Sequence, residues 1–163
     1  MNKKDYVLRI LVITLALIFP FICISYEGPL ESISQYWNTP LKPLLITSNA
    51  AIAYFLFSLD KWKFSSILLL LLTAFSVADY PILHNIFAYG FFIVCMHPLY
   101  INNRLKLYLV PYSCSLFLAP FGFLYVEIIC VSTLCVFHAH LLYLKWNVDI
   151  NRKKIQKELN ENI

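Results

Sequence analysis

The amino-acid sequence predicts an all-α integral membrane protein: a polytopic bundle of six transmembrane helices with both termini in the cytoplasm. The first observation behind this prediction is the composition, because 60% of the 163 residues are hydrophobic and 13% are charged. Soluble domains contain roughly 45–50% apolar and about 25% charged residues. Thirteen basic and nine acidic side chains could not cover the surface of a soluble domain of this size. The composition therefore excludes an ordinary soluble protein.

The second observation is a succession of six apolar runs, since each membrane crossing needs about 20 apolar residues. The runs are Tyr6–Tyr26, Pro43–Leu59, Phe64–Ala78, Pro81–Met96, Leu107–Ala119 and Phe123–Leu144. Several middle runs are at or below the lower limit of about 17 residues. A re-entrant pair in place of two full crossings therefore stays open.

Each run has a defined start or end. The first run follows a basic N-terminal segment, as the apolar region of a signal peptide does. It is longer than the usual apolar region of a signal peptide, which has about 7–15 residues, and no Ala-x-Ala-like cleavage site follows it. We therefore expect a retained helix. The later runs are separated by polar or proline-containing segments, and proline disfavours helical geometry at the residue before it. These segments are Asp60–Lys63, Asp79–Pro81, Asn102–Lys106 and Pro120–Gly122.

The third observation is the distribution of basic residues, because cytoplasmic loops of membrane proteins are enriched in Lys and Arg. With the N-terminus inside, only Lys42 lies in an outer segment. The other twelve basic residues fall on the cytoplasmic side: Lys3, Lys4, Arg9, Lys61, Lys63, Arg104, Lys106, Lys145, Arg152, Lys153, Lys154 and Lys157. A wrong number of spans would disrupt this alternation.

Residues 1–146 are thus predicted to form a single six-helix transmembrane domain, and residues 147–163 a polar, basic cytoplasmic tail. In the tail, Ile155, Leu159 and Ile163 recur every four residues, which fits a short helix on the anionic inner leaflet. A frayed, solvated tail fits nearly as well. The five cysteines all fall within the predicted spans and indicate small, buried apolar fillers.

Polar and ionisable groups inside a span are costly, and so they indicate function. The outer half of the predicted bundle, together with its first outer loop, holds six such candidates. We expect a ligand or proton site formed by Glu127, Asp79, His84, Asn49, Tyr36 and Trp37. At least two of Glu127, Asp79 and His84 should converge, with an aromatic residue nearby. The alternative is that the two aromatic residues form an interfacial belt while the acids face water.

Three histidines in the inner half are weak candidates for a metal site. His138 and His140 are two residues apart, which on a helix turns them about 200° away from each other, so they cannot chelate one ion. His97 could approach either of them from a neighbouring helix. Interhelical hydrogen bonding is the simpler interpretation, and no metal or other cofactor is predicted.

The segment Ser32-Ile33-Ser34-Gln35-Tyr36-Trp37-Asn38-Thr39-Pro40 resembles the first outer loop of a group of bacterial six-span membrane proteins. That loop carries Ser-Ile-Ser-x-Tyr-aromatic-x-Thr, and a Leu-His pair opens a later helix, as Leu83-His84 does here. The likeness covers about residues 30–100. It implies six spans and a place in the bacterial cytoplasmic membrane, and it implies no activity because none is assigned to the group.

The chain is also distantly similar to the alkaline-ceramidase and adiponectin-receptor-like membrane hydrolases, which place one Ser, one Asp and three His around zinc. Asp79, His84 and Ser32 or Ser34 match part of that set. The His-x-x-x-His pair of their last helix has no counterpart in this sequence. The resemblance implies catalytic candidates Asp79, His84 and Ser34.

Three functions therefore remain open. The first is a non-catalytic sensor, accessory subunit or small-ligand binder with an outward-facing polar pocket. The second is a hydrolase of a lipid-like substrate that uses the three catalytic candidates, and the third is a transporter with Glu127 as its proton or cation site. Expected partners are membrane lipids and a membrane protein or a second copy of the chain. Nucleic acid is not expected, because the basic tail is an ordinary cytoplasmic anchor.

Overall fold

The computed structural model describes residues 3–103, 105–118 and 122–161, and this part of the chain consists of helices and loops without a strand. The α-helices are α1 (Lys3–Glu27), α2 (Lys42–Phe57), α3 (Lys63–Ala74), α4 (Pro81–Ile101), α5 (Leu109–Leu116) and α6 (Phe123–Glu161). Short 3₁₀ helices cover Ile33–Asn38, Asp60–Trp62 and Lys106–Tyr108. The predicted all-α class is confirmed. Arg104, Ala119, Pro120 and Ile163, which entered the sequence predictions, lie outside the described residues.

Each predicted apolar run corresponds to one α-helix, although several ends differ. The third run was expected to reach Ala78, but α3 ends at Ala74 because Phe75 adopts an extended conformation. The fourth helix continues past Met96 and through Pro98 to Ile101. The tail continues α6 without a break as far as Glu161. The predicted tail residues Leu159 and Ile163 lie outside the described side chains.

Three helices in the described part of the chain are long and apolar enough to span a membrane: α1, α4 and α6. Helix α2 is apolar but shorter, with 16 residues. Helices α3 and α5 have 12 and 8 residues, which at 1.5 Å per residue is about 18 and 12 Å. The hydrocarbon core of a bilayer is about 30 Å thick.

The helices pack as a ring in chain order, with each helix against the next and α6 closing the ring against α1. The connections after α2, α3, α4 and α5 are short, so the helices that they join are antiparallel. Two ends of the bundle can be named from the contacts. The "loop end" carries the 3₁₀ helix Ile33–Asn38, whose residue Ile33 bonds to the start of α6. At the "terminal end", the rings of Tyr6 and Trp146 lie 4.7 Å apart.

The interior is rich in aromatic side chains, and the outside is apolar as well. Buried Trp62, Phe91, Phe92 and Phe137 belong to the main core. Large apolar residues are exposed on the outer faces of the helices, among them Val7, Leu11, Ile18, Phe21, Ile82, Ile86, Ile93 and Val136. Continuous exposed apolar surface is typical of proteins that contact lipid.

One expectation about the cysteines is wrong. Cys23, Cys95, Cys130 and Cys135 are buried, as predicted, but Cys114 is exposed. Tyr112 and Ser115 take the inward-facing positions of α5. Cys114 lies two residues from Tyr112, about 200° around the helix, and therefore faces outward.

Candidate functional site

A cavity lies at the loop end of the bundle, between α1, α2, α3, α4 and α6, with the 3₁₀ helix Ile33–Asn38 along one side. We call it the loop-end cavity. Its polar lining consists of Ser34, Asn49, Thr73, His84 and Glu127, and its aromatic lining of Phe19, Trp37, Phe91 and Phe92. The volume of the cavity is about 80 Å³. Since one water molecule needs roughly 10–15 Å³, the cavity can hold several water molecules or a very small ligand.

Glu127 is the carboxylate of this cavity. It lies in the second turn of α6 and is only 5% exposed. Its Oε2 accepts a hydrogen bond of 2.5 Å from the backbone N–H of Ile33. In the described part of the chain this is the one hydrogen bond that Glu127 receives. A buried carboxylate needs partners for both oxygens, so Glu127 can accept a further donor from a ligand.

The loop is also fastened to α6 through backbone groups. The N–H of Leu124, in the first turn of α6, donates to the carbonyl oxygen of Glu31 at 2.8 Å. This bond satisfies one of the N–H groups that a helix leaves unpaired at its start. Together with the bond from Ile33, it fixes the loop between α1 and α2 over the beginning of α6.

His84 presents a buried acceptor to the same cavity. It lies in the first turn of α4, which begins at Pro81, a residue suited to the first helical position. Its Nδ1 is 2.7 Å from the carbonyl oxygen of Phe75. Because a carbonyl can only accept, Nδ1 carries the proton, and in that tautomer of the uncharged ring Nε2 is an acceptor. That Nε2 is buried and has no partner among the described residues.

Asn49 and Thr73 join α2 to α3 at the cavity wall. The amide nitrogen of Asn49 donates to Thr73 Oγ1 at 3.1 Å, and the Thr73 hydroxyl donates to the Leu69 carbonyl at 2.7 Å. This arrangement uses the amide nitrogen of Asn49 and leaves its carbonyl oxygen as an acceptor. The site therefore contains a carboxylate, an imidazole lone pair and an amide oxygen.

Tyr36 anchors the loop without lining the cavity. Its side chain is completely buried in a second apolar cluster with Phe19, Cys23 and Leu45. Its hydroxyl donates to the carbonyl oxygen of Gly28 at 2.6 Å, and burial raises the pKa of the phenol, so the hydroxyl stays a donor. Gly28 has a φ of +82° and ends α1, a position that favours glycine.

Asp79, one of the three groups of which at least two were expected to converge, does not line the loop-end cavity. It is exposed, and its carboxylate accepts a hydrogen bond of 2.6 Å from the Ser76 hydroxyl in the turn between α3 and α4. The physical reason is local, because the Asp79 backbone N–H also donates to Ser76 Oγ and closes the turn. The Nδ1 of His84 meets a backbone carbonyl instead of Asp79, so Ser34, His84 and Asp79 do not form a hydrogen-bonded triad.

His138 and His140 face different sides of α6, as their spacing predicts. His138 is buried, with its ring 4.6 Å from that of Trp62. His140 has its Nδ1 3.1 Å from the Tyr108 hydroxyl. His97 is exposed on α4. Among the described residues no group of three or more His, Cys, Asp or Glu could hold a metal ion.

Two parts of the cavity were missed by sequence reasoning. Thr73 is an isolated hydroxyl residue in the third apolar run. Its predicted depth in the bundle is similar to that of Asn49 in the neighbouring antiparallel run, and this similarity could have identified Thr73 as part of the site. The backbone N–H of Ile33 carried no signal, because every residue except proline has one.

The chain matches no protein-family model, and no curated protein or solved structure matches it significantly. Function therefore has to be argued from the chemistry of the loop-end cavity.

Proposed function

We propose that this protein is a six-span membrane protein, with both termini in the cytoplasm, that binds a small cation in the loop-end cavity. The observation that carries the proposal is Glu127, a buried carboxylate with one protein hydrogen bond in the described structure. Such a group in a membrane is expensive unless it is paired, protonated or in contact with a wet cavity. A cation that enters the cavity supplies the missing partner.

The topology is supported by the agreement between six apolar runs and the ring of α-helices. Helices α3 and α5 are too short to cross alone, so in this proposal the neighbouring 3₁₀ and extended segments complete their crossings. Irregular backbone is tolerated at membrane depth where it is buried in protein or lines a cavity. In this orientation every basic residue except Lys42 is assigned to a cytoplasmic segment, and the loop end faces outward.

The chemistry of the lining favours a cation over an anion. Glu127, His84 and Asn49 offer acceptors, and none of the residues described along the cavity wall is Lys or Arg. Trp37, Phe91 and Phe92 add aromatic faces, which attract ammonium groups. A volume of about 80 Å³ suits a monovalent ion or an amine of a few heavy atoms. A hydrolase of a lipid-like substrate gains no support from this small cavity or from the positions of Ser34 and Asp79.

The test is binding of methylammonium to the purified protein in detergent, measured by calorimetry and by ligand-dependent thermal stabilisation. Wild-type protein should bind. Glu127→Gln should weaken binding about 10- to 150-fold, because a hydrogen bond to a charged group is worth about 1.5–3 kcal/mol. The amide oxygen of the substituted residue can still accept from Ile33, so the loop should stay in place.

The matched control is Glu31→Gln, which removes the same charge from an exposed position in the first loop. Its side chain bonds to Gln35 outside the cavity, so methylammonium affinity should stay at the wild-type value. Absence of methylammonium binding by the wild-type protein would reject the proposal. Equal affinities of the wild-type and folded Glu127→Gln proteins would reject Glu127 as the cation site.

A further inference from the structure

A second cavity continues from the loop-end cavity toward the terminal end of the bundle. The two share the lining residues Ala16, Asn49, Ile52, Leu69, Phe91 and Val131. Only the side chains that line both cavities, Asn49 among them, therefore separate the two cavities. The volume of the second cavity is about 90 Å³, and Asn49 and His138 are the polar side chains that its otherwise apolar lining offers to water.

A third cavity extends the series to the terminal end. It shares Val12 and Phe55 with the second cavity, and its lining includes the charged residues Asp5 and Arg9 of the first α1 turns. The three cavities thus follow one another from Glu127, beneath the first outer loop, to charged side chains near the N-terminus. Helices α1 and α2 line all three cavities, and α3, α4 and α6 also line the first two.

His138 lies in the wall of the second cavity. It is 5% exposed, and its Nε2 has no hydrogen-bond partner among the described residues. Its ring packs against those of Phe55 and Trp62 at 5.2 and 4.6 Å. A phenylalanine could pack between these aromatic rings without leaving a buried nitrogen unpaired. Packing alone therefore does not account for an imidazole at this position.

Glu127 and His138 are eleven residues apart on α6, which is about 16 Å along the axis. Direct transfer of a proton over this distance is excluded, and water in the shared cavities would have to bridge it. Among the described residues, His84 from α4 lines the same cavity as Glu127, and Cys130 lies one turn along α6 within electrostatic reach of it. In the described part of the chain, the positive charge of Arg9 from α1 acts on His138, and Cys135 lines the same cavity.

We propose that the three cavities form a proton path through the bundle, with Glu127 and His138 as its two proton-binding groups and Asn49 between them. A proton that enters at the loop end binds the Glu127 carboxylate and moves through cavity water to the Nε2 lone pair of His138. It leaves through the third cavity to water at the terminal end. The inference rests on the proposed cation site, because a proton and a cation would occupy the Glu127 carboxylate alternately.

The test is proton flux into vesicles that contain the purified full-length chain and a trapped pH-sensitive dye. A potassium gradient with valinomycin supplies the driving potential. Wild-type vesicles should acidify faster than protein-free vesicles. His138→Gln and Glu127→Gln should lose this flux to the level of the protein-free vesicles. The matched control is His140→Gln on the same helix, which lies outside the walls of these cavities and should conduct as the wild type does.

Methylammonium binding, measured on the same preparations, separates this inference from the proposed function. His138→Gln should bind methylammonium with wild-type affinity while it loses proton flux. If the wild-type protein binds methylammonium but its flux equals the leak of protein-free vesicles, the proton path is refuted and the binding site stands. Wild-type flux in His138→Gln also refutes the path. His138→Phe, which keeps the aromatic packing, replaces His138→Gln if that variant does not fold.

Discussion

Tyr36 holds the first loop against the bundle, and its substitution should open the loop end locally without unfolding the rest. Its ring is fully buried against Phe19, Cys23 and Leu45, and its hydroxyl donates to the Gly28 carbonyl. Tyr36→Phe removes only the hydrogen bond. Tyr36→Ala also removes the ring that fills the space between the loop, α1 and α2.

The magnitudes follow from these contacts. Loss of the hydrogen bond to the partly buried Gly28 carbonyl should cost about 1 kcal/mol. Truncation of a buried aromatic ring to alanine costs about 3–5 kcal/mol. Since each 1.4 kcal/mol is a factor of ten, the population of the open loop should rise about 5-fold in Tyr36→Phe. It should rise about 100- to 4000-fold in Tyr36→Ala.

Cys23 reports this opening, because its thiol is buried in the same cluster as Tyr36. The rate of its reaction with a small maleimide, followed by mass spectrometry of the labelled peptide, should rise by the same factors if labelling requires the open loop. Cys95 and Cys130 belong to the main core and should stay protected. Tyr26→Ala is the matched control, because Tyr26 is exposed at the end of α1.

Two outcomes would contradict this reasoning. Protection of Cys23 in folded Tyr36→Ala at the wild-type level would mean that Tyr36 does not anchor the loop. Simultaneous labelling of Cys23, Cys95 and Cys130 would mean that the loop and the core unfold as one unit, so that the loop end cannot open separately.

Two further predictions concern topology and the tail. Reporter fusions after Asn38 should be external and fusions after Asn102 cytoplasmic, and an external reporter after Asn102 would overturn the six-span arrangement. Truncation after Val148 should leave the unfolding temperature in detergent within a few degrees of that of the full chain, because the contact between Tyr6 and Trp146 is retained. Loss of all folded protein on truncation would instead identify the end of α6 as a packing or assembly element.

The helices were predictable because hydrophobicity and helix-ending residues act locally. Each apolar run became one α-helix, and Pro81 starts α4 as the sequence indicates. The ends were less predictable. Helix α3 stops before Ala78 because Phe75 is extended and Ser76 and Asp79 bond to each other in the turn that follows. Helix α4 continues through Pro98, and proline is tolerated within membrane helices.

The candidate site was predictable only in part. Depth within a span identified Glu127, His84 and Asn49 as polar groups at similar heights, and all three line the loop-end cavity. The same argument included Asp79, since height along a helix does not reveal the direction of a side chain. A hydroxyl three residues away, Ser76, bonds its carboxylate outside the cavity.

The sequence by itself determined the helical class, the positions of the helices and the residue types that a membrane interior makes costly. These follow from composition and from the preferences of neighbouring residues. Only the tertiary structure decided that Tyr36 is a buried anchor, that Ile33 donates its backbone N–H to Glu127, and that His138 shares a series of cavities with that carboxylate. Those relations depend on helix rotation and on contacts between residues almost a hundred positions apart, which local preferences do not encode.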